Sequence, residues 1–163
     1  MTTQPIKRSK YLLTLSKDHH AGLLFCWKIK EGLKRNIELY RIKKYISFFW
    51  EHHLKEHFRE EETLLFIDDP LCQQARAEHR MLENQLNNLN HYENEATGEY
   101  SIFAELLIKH IRFEERILFP HLETALPFSV LSNIGEVLAR QNQEHFKEEY
   151  SDEFWIGKND KGD

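Results

Sequence analysis

The chain contains few of the residues that interrupt helices, with only six glycines and four prolines among its 163 residues. The alternation of polar and β-branched residues that is typical of half-buried strands is also missing. Together these absences argue against a mainly β protein and favour an all-α fold. The length suits one domain, so we expect a single domain over residues 1–163.

Other absences narrow the class of protein. The chain has no run of the about 18 apolar residues that a membrane-spanning helix requires, and its N-terminal leucine run is too brief for a secretory signal. The two cysteines, Cys26 and Cys72, are therefore expected to be reduced and buried. The net charge of -5 argues against nucleic acid, because its binders usually carry a basic patch. We expect a cytoplasmic protein that binds neither membranes nor nucleic acid, and the oligomeric state stays open.

Helical periodicity predicts five helices, over residues 16–34, 38–67, 71–94, 99–123 and 129–149. Breaks are predicted at Asp68-Asp69-Pro70, Thr97-Gly98 and Leu126-Pro127, and Ser16 is the predicted N-cap of the first helix. Short connections favour antiparallel neighbours. We expect an up-down-up-down four-helix bundle over about residues 10–123, followed by an extra C-terminal helix and tail over 128–163.

The chain is rich in histidine, the commonest metal ligand, with ten residues spread from His19 to His145. It also contains an internal repeat, in which His57-Phe-Arg-Glu-Glu-Glu-Thr-Leu-Leu-Phe66 matches His110-Ile-Arg-Phe-Glu-Glu-Arg-Ile-Leu-Phe119. A helix with another histidine precedes each copy, His19 before the first and His79 before the second. The chain therefore consists of two helix pairs, which we expect to be related by a pseudo-two-fold axis.

Each copy of the repeat places a glutamate four residues after its first histidine, so the two side chains share one face of a helix. That face also carries the apolar stripe, where a glutamate without a partner costs several kcal/mol. Two metal ions would remove this cost, because each carboxylate can bridge both ions and two imidazoles then complete about four protein ligands per ion. A metal-free bundle with hydrogen-bonded core histidines is the alternative. The predicted ligands are His19, His57, Glu61, His79, His110 and Glu114.

The other histidines receive different interpretations. His20 is adjacent to His19 but belongs to a more polar side of its helix, so His19 is preferred as the ligand. His53 lies one turn before His57 and is a candidate to support the ligands. His145 imitates the ligand motif without a matching helix pair and is interpreted as structural. Surface or helix-end positions are expected for His52, His91 and His121.

Several motifs together resemble those of the hemerythrin-like or HHE cation-binding domains over residues 10–123. The motifs are Leu15-Ser-Lys-Asp-His19, His57-Phe-Arg-Glu-Glu61, Ala77-Glu-His79, His110-Ile-Arg-Phe-Glu114 and Leu118-Phe-Pro120. The resemblance implies a four-helix bundle that holds two iron ions, cycling between the ferrous and ferric states, with an oxo or hydroxo bridge. Carried over residue by residue, it implies the same six ligands. Imidazole with carboxylate suits iron, with zinc and manganese as the alternatives.

Two positions depart from the respiratory hemerythrins, which use a fifth histidine on the third helix and an aspartate on the fourth. Glu83 and Glu114 occupy these positions here. The pattern is more similar to bacterial di-iron proteins linked to the repair of iron centres after nitrosative stress, and to the iron-responsive hemerythrin domain of a ubiquitin-ligase subunit.

These departures make simple oxygen carriage a poor expectation. We expect a module that binds or senses O2, NO, or iron or redox state. The alternative is a di-iron oxidoreductase that acts in nitrosative or oxidative stress and iron-centre repair. No general base or nucleophile stands out beyond the ligands, which favours the module over the enzyme.

Overall fold

The computed structural model describes residues 8–91, 97–141 and 148–157. Every regular element within these ranges is helical, which confirms the predicted all-α class. The described helices are α1 (Leu13–Lys34), α2 (39–65), α3 (Pro70–His91), α4 (97–125) and α5 (Phe128–Gln141). In these ranges no helix combines the length and the apolar character needed to cross a membrane.

Two of the helices contain π-helical turns. Helix α2 consists of Leu39–Phe49, a π turn at Trp50–Leu54, Lys55–Glu60 and a second π turn at Glu61–Leu65. Helix α4 consists of Thr97–Phe113, a π turn at Glu114–Leu118 and Phe119–Ala125. A π turn inserts one extra residue into the helix, so the buried face moves by one position after it.

Helix ends differ from the prediction at several positions. Helix α1 begins before Ser16, whose hydroxyl donates to Glu115 Oε1 at 2.7 Å, so the prediction of Ser16 as an N-cap is wrong. Thr97 opens α4 instead of separating two helices. Residues 148 and 149 are not helical, and the predicted helical residues 142–147 lie outside the described ranges. The start of α3 follows the prediction closely, because Asp69 accepts a hydrogen bond from the Cys72 amide at 2.8 Å and Pro70 occupies the first helical position.

The buried apolar side chains form two clusters. The first takes residues from α1 to α4 and from the C-terminal segment 148–157, including Phe25, Phe49, Leu86, Phe103 and Trp155. The second takes residues from α1 to α5, including Leu15, Leu65, Ala75, Leu118 and Leu138. Along each of the first four helices the residues of the two clusters lie towards opposite ends of the helix. The arrangement is compatible with the expected four-helix bundle and extra C-terminal helix.

The C-terminal segment 148–157 is held against the first cluster. Arg41 pairs with Asp152 at 2.6 Å, and Lys28 pairs with Glu148. The ring of Phe154 lies against the backbone of Gly32, where a Cβ atom would come within 2.7 Å of the ring. The segment therefore packs back onto the helices.

Candidate metal centre

The structure brings all six predicted ligands together in two overlapping groups of side chains. Each side chain is buried, with exposed fractions from 0% for Glu61 and Glu114 to 3% for His19 and His57. Ionisable groups this deep inside a protein require a partner of opposite charge or a metal. The centre therefore has to be understood as one electrostatic unit.

The six side chains form two overlapping groups that share both glutamates. In the first group, His57 Nε2 lies 3.0 Å from Glu61 Oε1 and His19 Nε2 lies 2.9 Å from Glu114 Oε2. In the second, His110 Nε2 lies 2.7 Å from Glu114 Oε1, and His79 Nε2 lies 3.4 Å from an oxygen of each glutamate. Within each group one ligand atom from every residue lies within 4.8 Å of the others, so each group could hold a metal ion.

The repeat explains how the helices position these groups. Glu61 and Glu114 occupy equivalent positions, and each is the first residue of a π-helical turn, a feature frequently found at functional sites. The phenylalanines that end the two copies also have equivalent contacts. Phe119 stacks on His19 at 5.2 Å between centroids, and Phe66 stacks on His79 at 5.7 Å. The two halves of the centre therefore share one local design.

The Nδ1 atom of each histidine faces a carboxylate outside the predicted ligand set. Asp18 lies 3.0 Å from His57 and Glu62 lies 3.3 Å from His79. The other two contacts are Glu78 to His110 at 2.9 Å and Glu115 to His19 at 2.7 Å. We call these four residues the carboxylate ring: Asp18, Glu62, Glu78 and Glu115. Each of the first three carboxylates lies on the helix that precedes its histidine in the chain, and the ring closes because Glu115 of α4 contacts His19 of α1.

The carboxylate ring fixes which nitrogen of each imidazole is available to a metal. A neutral imidazole carries one N–H, and a carboxylate facing Nδ1 keeps it there. The Nε2 lone pair then points into the centre. These four residues were not predicted from the sequence, although each is adjacent in sequence to a predicted ligand.

The unpaired atoms of the centre fit a metal site. Among the described residues, His19 Nε2, His57 Nε2 and all four carboxylate oxygens of Glu61 and Glu114 have no hydrogen-bond partner. These atoms lie close to one another but lack hydrogen-bond geometry. Their lone pairs point into the space between the side chains and not at a neighbouring atom. His79 Nε2 and His110 Nε2 face each other at 3.1 Å, and both are lone pairs when each Nδ1 carries the proton. Metal cations between these atoms would satisfy them all.

Without a metal, protons have to supply the positive charge. Burial raises the pKa of Glu61 to about 8, and the charge of Glu114 adds to this shift. Burial opposes the ionisation of Glu114 too, but the charge of His110 and contacts with Glu61 and His19 hold its pKa well below the usual range. Burial likewise opposes protonation of His110, yet Glu114 raises its pKa to about 10. Protons therefore occupy the metal-free centre, and metal uptake would release them.

The remaining histidines lie outside the two groups. His20 and His52 are exposed, and His52 packs against Phe48. His121 Nε2 lies 2.6 Å from Asp69. His53 is buried, with Nε2 3.9 Å from Asp18, so it lies near a carboxylate that contacts a predicted ligand. The side chain of His91 and the whole of His145 lie outside the described residues. Cys26 and Cys72 are buried and free.

Comparison of this chain with protein-family models, with curated proteins and with solved structures finds no match. The buried groups of histidine and glutamate that could hold a metal are thus the feature from which function has to be inferred.

Proposed function

We propose that this protein is a hemerythrin-like four-helix bundle that holds two metal ions, preferentially iron. The observation that carries the proposal is the pair of overlapping ligand groups that share Glu61 and Glu114. Each group offers two imidazoles and an oxygen from each shared carboxylate. A single ion in either group would leave the two imidazoles of the other group without a metal. Two ions, each with about four protein ligands, would satisfy both groups.

The chemistry of the donor atoms supports iron over softer metals. Nitrogen and carboxylate oxygen are the donors, and both cysteines of the chain are buried away from the two groups. Imidazole mixed with carboxylate is typical of non-haem iron, with zinc or manganese as alternatives. Bound iron would supply reversible one-electron oxidation and coordination positions for a diatomic ligand. The carboxylate ring would hold the imidazoles in the tautomer that iron requires.

The proposed activity is the binding or sensing of O2, NO, or iron or redox state in the cytoplasm. The six ligands are at most 3% exposed, which favours a diatomic ligand over a larger substrate. The nearest described carboxylates are engaged with the ligand histidines, so none is left as an evident general base. These features favour a binding or sensing module.

One observation favours the alternative, a di-iron oxidoreductase that acts in nitrosative or oxidative stress and iron-centre repair. A groove of about 310 Å³ lies between α3 and α4, beside the buried His110. Its walls include Met81, Leu82 and Phe113, and Lys109 also lines it. A small substrate in this groove would come close to one ligand histidine, which a pure sensor would not need.

Metal analysis is the first test of the proposal. Protein reconstituted anaerobically with ferrous iron and freed of excess metal is expected to retain two irons per chain. One iron or fewer per chain would contradict the two-metal proposal. Protein carried through the same steps without iron is the control.

Gas binding distinguishes a sensor from a carrier. Nitric oxide is expected to change the absorption spectrum of the ferrous-loaded protein, because each ion would keep an open coordination position. Air is expected to oxidise both irons to the ferric state, and removal of oxygen under vacuum is not expected to restore the ferrous spectrum. Release of oxygen under vacuum, with return of the ferrous spectrum, would instead identify a reversible oxygen carrier.

A further inference from the structure

The carboxylate ring and the two shared glutamates together place more negative charge around the centre than two divalent ions can balance. The two shared glutamates and the four ring carboxylates together carry six negative charges when ionised. Two divalent ions supply four positive charges and two trivalent ions supply six, since histidine ligands are neutral. The fixed charge of the protein therefore matches a trivalent pair.

Within the described ranges Arg8 pairs with a member of the carboxylate ring, and it does not remove this excess. Arg8 contacts Glu115 at 3.0 Å, but it also pairs with Glu123 at 2.9 Å, so its single charge is shared. Glu115 also accepts hydrogen bonds from Arg8 at 3.0 Å and from the Ser16 hydroxyl at 2.7 Å, and both stabilise its charged form.

Burial decides how strongly each ring member acts on the centre. The side chain of Asp18 is 18% exposed and that of Glu78 is 24% exposed, whereas Glu62 reaches 34%. Water screens a charge more effectively as its exposure increases. Asp18 in the first ligand group and Glu78 in the second are thus good positions at which to test the effect of ring charge.

We propose that the carboxylate ring poises the metal centre towards the trivalent state, and that Asp18 and Glu78 are positioning residues that tune its reduction potential. The inference rests on the proposed two-iron centre. Each ring carboxylate contacts Nδ1 of an imidazole whose Nε2 would bind the metal. The carboxylate makes that imidazole a stronger donor and so stabilises positive charge on the metal. Reduction adds one electron to each iron and lowers the positive charge that faces the ring.

Asparagine and glutamine can separate charge from position. Asp18→Asn and Glu78→Gln keep an oxygen that can accept the Nδ1–H bond, so the imidazole can keep its orientation while one negative charge is lost. Glu83→Gln is the matched control, because Glu83 is an exposed residue of the same helix as Glu78. It removes the same charge outside the carboxylate ring.

The experiment is a redox titration of the full chain loaded with iron, with chemical mediators as the electron source and the ferric absorption as the readout. Each ring variant is expected to shift the equilibrium about tenfold towards the ferrous state, which is about 59 mV for a one-electron couple. The double variant is expected to shift it further, and Glu83→Gln is expected to leave it unchanged.

Two results would overturn the inference. One is an unchanged potential in both ring variants while two irons stay bound. The other is loss of iron from both ring variants but not from Glu83→Gln, because the ring would then act by holding the histidines. A wild-type protein that retains fewer than two irons would instead refute the proposed function, so the two failures are distinguishable.

Discussion

The metal-free protein is expected to become less stable as pH rises, because Glu61 holds a proton in the folded state. Burial and the neighbouring Glu114 raise the pKa of Glu61 from its ordinary value of 4.5 to about 8. Between these values the folded chain binds a proton that the unfolded chain has released. The free energy of unfolding therefore decreases with pH in this window.

The size of the effect follows from the two pKa values. For a single group with these values, the linkage relation gives a loss of about 3 kcal/mol between about pH 5.5 and about pH 8.5. His19, His79 and His110 also have raised pKa values, so their contributions decrease with pH in the same direction. Glu114 has a lowered pKa, and its contribution is lost only below its ordinary value of 4.5.

Urea unfolding of chelator-treated protein, followed by tryptophan fluorescence at a series of pH values, measures this loss. Glu61→Gln is the control, since a glutamine cannot titrate, and its free energy of unfolding is expected to depend less steeply on pH. Parallel pH profiles for the wild-type protein and Glu61→Gln would refute the reasoning. Metal-loaded protein is expected to behave differently, because metal affinity rises as the ligands lose their protons.

Two further predictions concern the ligands and the packing of the C-terminal segment. His57→Ala or His110→Ala is expected to empty the centre, whereas His20→Ala is expected to retain metal. Elemental analysis of the three proteins measures the metal content. Metal loss from His20→Ala alone would contradict the prediction. Gly32→Ala is expected to cost about 1–3 kcal/mol, because the added Cβ would lie 2.7 Å from an aromatic ring of segment 148–157. Gly98→Ala is the matched control, because a Cβ added there would have no atom within 4 Å. Equal melting temperatures for the two glycine variants would show that the close contact at Gly32 does not destabilise the variant.

The six predicted ligands could be grouped from the sequence because their histidines and glutamates recur at fixed helical spacing. The positions beyond the glutamates were less predictable. A uniform helix places Leu64 and Ile117 on the buried stripe, but Leu65 and Leu118 are buried instead, and Ile117 is 51% exposed. The π-helical turns that begin at the two glutamates insert one residue and move the buried face by one position. Helical periodicity cannot reveal such an insertion.

The carboxylate ring was missed for a different reason. Asp18 and Glu78 immediately precede a predicted ligand, and Glu62 and Glu115 immediately follow one, so the pattern is visible in the sequence. A residue adjacent in sequence to a predicted ligand points to the side of the helix and not towards the metal centre. Its role depends on which helix packs on that side, and apolar stripes do not specify that.

The order of contacts in the carboxylate ring also distinguishes the hand of the helical assembly. Consider two neighbouring helices that run in opposite directions and are viewed from one end. The residue that precedes a ligand on one helix then points to the same side as the residue that follows a ligand on the other. Asp18 therefore turns from α1 towards α2, and Glu62 turns from α2 towards α3. In the mirror-image order of the same four helices, Asp18 would face α4 and would leave His57 without its carboxylate. Metal binding, by requiring oriented imidazoles, would thus favour the observed order of the four helices over its mirror image.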